Sequence, residues 1–90
     1  MTSLNNAVIK IISEQEQIVG PLAWDVAKQI QGLSFTDHQA VIKGSSKEVL
    51  SQLVKAYEGL FGSASREVCR DAISPMRSEL DESSLPDVLK

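Results

Sequence analysis

Residues 45–62 read SSKEVLSQLVKAYEGLFG. Ser45 and Glu48 have capping-box spacing: the serine hydroxyl accepts from the Glu48 N–H while the carboxylate reaches back to the Ser45 N–H. Val49, Leu50, Leu53, Val54, Tyr57, Leu60 and Phe61 then recur at steps of three and four, which puts them on one face of a helix. Lys47, Glu48, Ser51, Gln52, Lys55 and Glu58 fill the other face. Gly62 follows the last apolar pair and can take the left-handed conformation that closes a helix. Start, stripe and stop agree. A core face is expected, with Tyr57 at its rim and the hydroxyl in water.

Upstream, Leu4, Val8, Ile11, Ile12, Ile18 and Val19 form a second stripe, with Ser3 placed to cap it. Gly20-Pro21 interrupts it, and Leu22, Ala23, Val26, Ala27 and Ile30 follow as far as Gly32. At roughly 100° per residue, with Leu22 as the origin, Leu4, Val8, Ile11, Ile18 and Val26 all fall within about 40° of zero. The face thus survives the Gly-Pro pair. Either one helix spans Ser3 to Gln31 with a kink at Pro21, or two helices meet at a tight corner. A proline inside a helix costs about 3 kcal/mol, so the kink would need tertiary support.

Downstream, Ala64, Val68, Cys69, Ala72, Ile73 and Met76 give a last apolar face. Ser74-Pro75 marks its end or a restart with Pro75 at the first helical position. Residues 33–44, LSFTDHQAVIKG, support two readings. Thr36-Asp37-His38-Gln39 has capping-box spacing, which would start a short helix at 37–43. Leu33 to Thr36 alternates like a strand, and Ala40-Val41-Ile42 suits a second one. The expected fold is therefore mostly α, with helices at about 3–19, 21–31, 45–61 and 63–76 and a short β-hairpin at 33–43. The alternative is an all-α bundle with a short helix at 37–43.

Ninety residues suit one domain with a small core. Residues 1–77 carry eight Lys/Arg and eight Asp/Glu, so the net charge of −3 lies wholly in residues 78–90. That pattern predicts a helical domain over 1–77 and a frayed acidic tail, because Leu80, Leu85, Val88 and Leu89 are few. The balanced body shows no electrostatic footprint for nucleic acid. No apolar run approaches the roughly 20 residues of a membrane span, and no secretory leader stands out at the N-terminus. The single cysteine, Cys69, allows no internal disulfide. A cytoplasmic protein is expected.

Three residues are candidates for an interface. Gln15 falls within the apolar stripe, either exposed where the helix leaves the core or buried as an amide that sets helix register. In a two-fold dimer of long first helices it would meet its own symmetry mate, with Ile18 beside it. Trp24 falls outside the stripe, where it caps the core rim or anchors a partner. His38 is the only histidine. Ala40-Val41-Ile42-Lys43-Gly44-Ser45 resembles the end of the phosphotransfer-domain motif, in which a histidine precedes a Lys-Gly pair by three residues. The resemblance implies a helical bundle that accepts a phosphoryl group. Ala40 occupies the histidine position here, and His38 stands two residues earlier. No metal-ligand spacing, phosphate loop, cofactor motif or nucleophile elbow is present. The expected function is a non-enzymatic protein-interaction or regulatory module whose partner is another protein or a second copy. The alternatives are a phosphorelay protein using His38 and a helical domain that binds a small molecule near Trp24.

Overall fold

A computed structural model describes residues 3–36, 39–80, 83 and 85–89. Helix α1 spans Ser3–Val19 and α2 spans Leu22–Lys28. Strands β1 (Leu33–Thr36) and β2 (Gln39–Ile42) follow, then α3 (Ser46–Phe61) and α4 (Ala64–Ile73). Two 3₁₀ segments, Ser74–Glu79 and Asp87–Leu89, complete the described chain.

The central helix forms as its residues dictate. Ser45 is extended (φ −74°, ψ 116°), and its hydroxyl accepts from the Glu48 N–H at 3.3 Å. Gly62 closes the helix at φ +96° and returns its N–H to Glu58 O at 2.9 Å. Val49, Leu50, Leu53, Val54 and Tyr57 are buried. The stripe then leaves the core, since Phe61 is half-buried and Leu60 is exposed. Tyr57 departs from the rim position expected of it. Its ring is fully buried, and its hydroxyl donates to Ala23 O in the first turn of α2 at 2.7 Å. A carbonyl has two lone pairs, so Ala23 O can accept this bond and still serve its helix.

Gly20-Pro21 makes a corner between two helices. Gly20 adopts φ +78° and donates to Glu16 O at 2.8 Å, while Ala23 N–H bonds Gly20 O at 3.1 Å. A continuous helix over residues 3–31 would be roughly 40 Å long. The molecule measures 27 × 27 × 20 Å and cannot hold it. Both α4 and α2 pack on α1. Ala7, Val8, Ile11, Ile12 and Gln15 of α1 are therefore covered within the chain, and its apolar face needs no second copy to bury it. Helix α2 is shorter than the expected 21–31. Gln29 and Ile30 N–H groups bond back three residues, and Gly32 at φ +87° turns the chain into the hairpin.

The β-hairpin is the correct reading of residues 33–43. Its strands pair antiparallel with Leu33 opposite Ile42 and Phe35 opposite Ala40. Those four side chains face inward, while Ser34, Thr36, Gln39 and Val41 are exposed. The two-residue period of a half-buried strand accounts for the alternation. Lys43 N–H extends the ladder to Gly32 O at 2.7 Å. The packing there leaves no room for a side chain at residue 32. A Cβ on Gly32 would stand 2.8 Å from Lys43 O and 3.0 Å from a Val49 methyl.

Helix α4 ends at Ile73, earlier than the expected 76, and the chain restarts as the 3₁₀ segment with Pro75 in its first turn. The C-terminal leucines also depart from expectation. Leu80, Leu85 and Leu89 are buried in the same core as the helices, and Asp87–Leu89 packs on α4. Counted within their own segment they are too few to make a core. They add instead to one that the helices have already built.

Candidate functional site

A polar cluster lies within the apolar core, where α1, α3 and α4 meet. Gln15 is 1% exposed. Its Nε2 donates to Ser65 O at 3.0 Å and to Cys69 Sγ at 3.3 Å. Among the described residues every fully buried side-chain nitrogen and oxygen has a partner. Burial pushes the Cys69 thiol up to about 11, against an opposing pull from the Gln15 amide. Burial also pushes the Tyr57 phenol well above its ordinary range, and neighbouring Cys69 adds to the effect. A thiol held protonated and shut away from water is a poor nucleophile at neutral pH. The cluster therefore acts as a positioning device: one amide on α1 fixes the first turns of α4.

That amide removes Gln15 from the interface role proposed for it from sequence. A side chain that is 1% exposed and bonded within its own chain cannot meet a symmetry mate. Of the two readings of Gln15 the fold adopts the buried one, with its amide tying α1 to α4. Trp24 is half-buried and lies edge-on to Phe35 of β1, with ring centroids 5.4 Å apart. It closes the rim between α2 and the hairpin. His38 lies outside the described residues. The segment that carries the phosphotransfer resemblance is strand β2 followed by Gly44 at φ +89°, not a helix.

Ile18 is the sequence candidate that lies open to solvent. Ile18 and Leu60 are each 64% exposed and Leu22 is 49% exposed. The hydrogen bonds place all three at the same end of the molecule. Gln15, one turn before Ile18, bonds Ser65 at the start of α4, just beyond the end of α3. Tyr57, one turn before Leu60, bonds Ala23, next to Leu22. Large aliphatic side chains exposed at one end of a molecule are candidates for a contact site. Glu14, which pairs with Lys10 at 3.4 Å, shares a helix face with Ile18, and exposed Asp25 shares one with Leu22. Leu22 and Leu60 were missed because their spacing continues the core stripes. Only the corner at Gly20 and the end of α3 at Gly62 take them out of the core.

A cleft of about 540 Å³ is lined by Ser45, Lys47, Glu48, Ser51 and Lys55 on the α3 side and by Pro86 and Asp87. Among the described residues no three His, Cys, Asp or Glu side chains converge as a metal site. No helix among them is long and apolar enough to cross a membrane. Compared with models of known families, with curated proteins and with solved structures, the chain matches none.

Proposed function

We propose that this chain is a non-enzymatic protein-interaction module that docks through the Ile18–Leu22–Leu60 end. The observation that carries the reading is the strong exposure of three aliphatic side chains: Ile18 and Leu22 flank the α1–α2 corner, and Leu60 lies in the last turn of α3. The partner is a cytoplasmic protein with an apolar contact surface carrying a lysine or arginine at its edge. The apolar part would displace water from Ile18, Leu22 and Leu60, and the basic group would meet exposed Asp25.

The test compares wild type with Ile18→Ser/Leu60→Ser as bait in extracts of the native cell. Both positions are exposed, so the variant should melt within about 0.5 kcal/mol of wild type. A protein retained by wild type, released by moderate salt and lost with the double variant supports the reading. Equal recovery with both baits refutes it, and so does dimerisation of the purified chain that the two serines abolish.

A further inference from the structure

We infer that the α1–α2 corner is a single-residue hinge, and that opening it lets two copies of the chain exchange their first helices. The inference does not rest on docking at the Ile18 end; it needs only the corner. Two residues separate the helices. Pro21 is already helical (φ −57°, ψ −18°), and its carbonyl accepts from Trp24 N–H at 3.0 Å. Gly20 N–H keeps the helical bond to Glu16 O at 2.8 Å. Only the φ of +78° at Gly20 turns the chain. Rotating that one residue into the right-handed region would join α1 and α2 into a helix over residues 3–28, about 40 Å long.

The phase of the apolar residues points to that open form. Ile18 and Leu22 stand four apart, and on a continuous helix they carry the face of Leu4, Val8 and Ile11 on to Val26. Two helices meeting at a corner need no common phase, and in the closed chain Ile18 and Leu22 are exposed instead. Opening withdraws α1 from α2, α4 and β2, on which it packs. The α1 of a second copy, withdrawn in the same way, fits that groove with the same contacts, the Gln15 bond to Ser65 O included. The two long helices then pass each other at the two-fold axis, where Ile18 and Leu22 of each copy cover those of the other. Pro21 opposes this state, because a proline within a helix clashes with the carbonyl four residues back. Gly20 favours the corner, because glycine takes positive φ without strain. The closed monomer is therefore the resting form.

The experiment refolds full-length chains from urea at high micromolar concentration and reads their mass by light scattering. A Cβ on Gly20 would meet nothing within 4 Å, so a substitution there acts through φ alone. Gly20→Ala/Pro21→Ala strains the corner and relieves the open helix, and should raise the dimerisation constant at least about a thousandfold over wild type. Gly20→Asn/Pro21→Ala should dimerise at least about tenfold more weakly than that, because asparagine tolerates positive φ. The dimer should persist on dilution, because release of α1 uncovers the core. Adding Leu60→Ser should leave it intact, since Leu60 takes no part in the exchange. A monomeric Gly20→Ala/Pro21→Ala overturns the proposal, as does equal dimerisation of the asparagine variant. A dimer that falls apart at once on dilution, or that Leu60→Ser abolishes, also overturns it, since the contact would then be a surface one. If circular dichroism shows that the double variant does not fold, Pro21→Ala alone decides. It keeps Gly20 at the corner and should dimerise at least about tenfold more strongly than wild type; no gain overturns the proposal.

Discussion

Gln15→Glu keeps the size and shape of a side chain that is almost fully buried and reverses its hydrogen-bonding character. Gln15 donates to Ser65 O and Cys69 Sγ. A glutamate carboxylate has nothing to donate and would face that carbonyl oxygen at close range. Protonated, the same carboxyl can donate to Ser65 O and restore one bond. The folded variant should therefore hold its proton well above the ordinary glutamate range, near 4.3, at which the unfolded chain releases it.

The sign follows from linkage. A carboxyl whose folded pKa is raised supports stability fully below the unfolded value. That support is lost as pH rises through the folded one. Between about pH 4.3 and pH 7 the variant should lose about 1.4 kcal/mol per unit relative to wild type. The total approaches 3–4 kcal/mol if the folded value lies near 7 or above. A domain this small has roughly 5–13 kcal/mol in all, so the loss is large. Urea melts of both proteins by circular dichroism at pH 4, 5, 6, 7 and 8 read the difference. Gln15→Leu is the control: it loses the bonds without adding a charge and should cost about 1 kcal/mol at every pH. Parallel pH profiles for Gln15→Glu and wild type would refute the buried-donor assignment.

Gly32→Ala should cost about 1–3 kcal/mol in a denaturant melt, because residue 32 sits at φ +87° and a Cβ there meets Lys43 O at 2.8 Å. A neutral result would mean the hairpin entrance is not built this way. Tyr57→Phe should lose about 0.5–1.5 kcal/mol with its bond to Ala23 O, and a gain in stability would argue against that bond. Leu53→Ala should cost about 2–5 kcal/mol. Leu85→Ala tests the docking of the C-terminal segment: Leu85 is as fully buried, so a comparable loss is expected, and a neutral result would mean that the segment does not dock on the core. Wild-type stability should fall by about 2–3 kcal/mol between about pH 9 and pH 11 on account of Cys69, because its buried thiol is held up at about 11 against an ordinary 9.0. Cys69→Ala should remove that fall and leave the separate loss above about pH 10 that comes from the raised Tyr57 phenol.

The fold was legible where local chemistry and periodicity agreed. Ser45, Glu48 and Gly62 bound α3 in sequence as they do in space. The alternation at Leu33–Thr36 outweighed the competing capping box at Thr36–Gln39, because the strands gain a ladder and two inward side chains each. The site was less legible. Periodicity ranks a position by the face it shares, not by how far along the helix the core extends. Ile18, Leu22 and Leu60 carry the right phase and lie past the end of the packed region. Tyr57 misled in the opposite sense, and Gln15 left two readings open. A polar tip on an apolar face reads as a rim residue unless a buried partner is known, and the partners here stand 34 and 50 residues away in the chain.

The C-terminal segment shows why that distance matters. Whether a stretch orders depends on the apolar area it can bury, and that area belongs to the surface it meets as much as to itself. Leu80, Leu85 and Leu89 could not form a core alone, which is the comparison that sequence composition allows. Set against α4, they need only complete one, and each leucine gains contacts from helices whose ordering is already paid for.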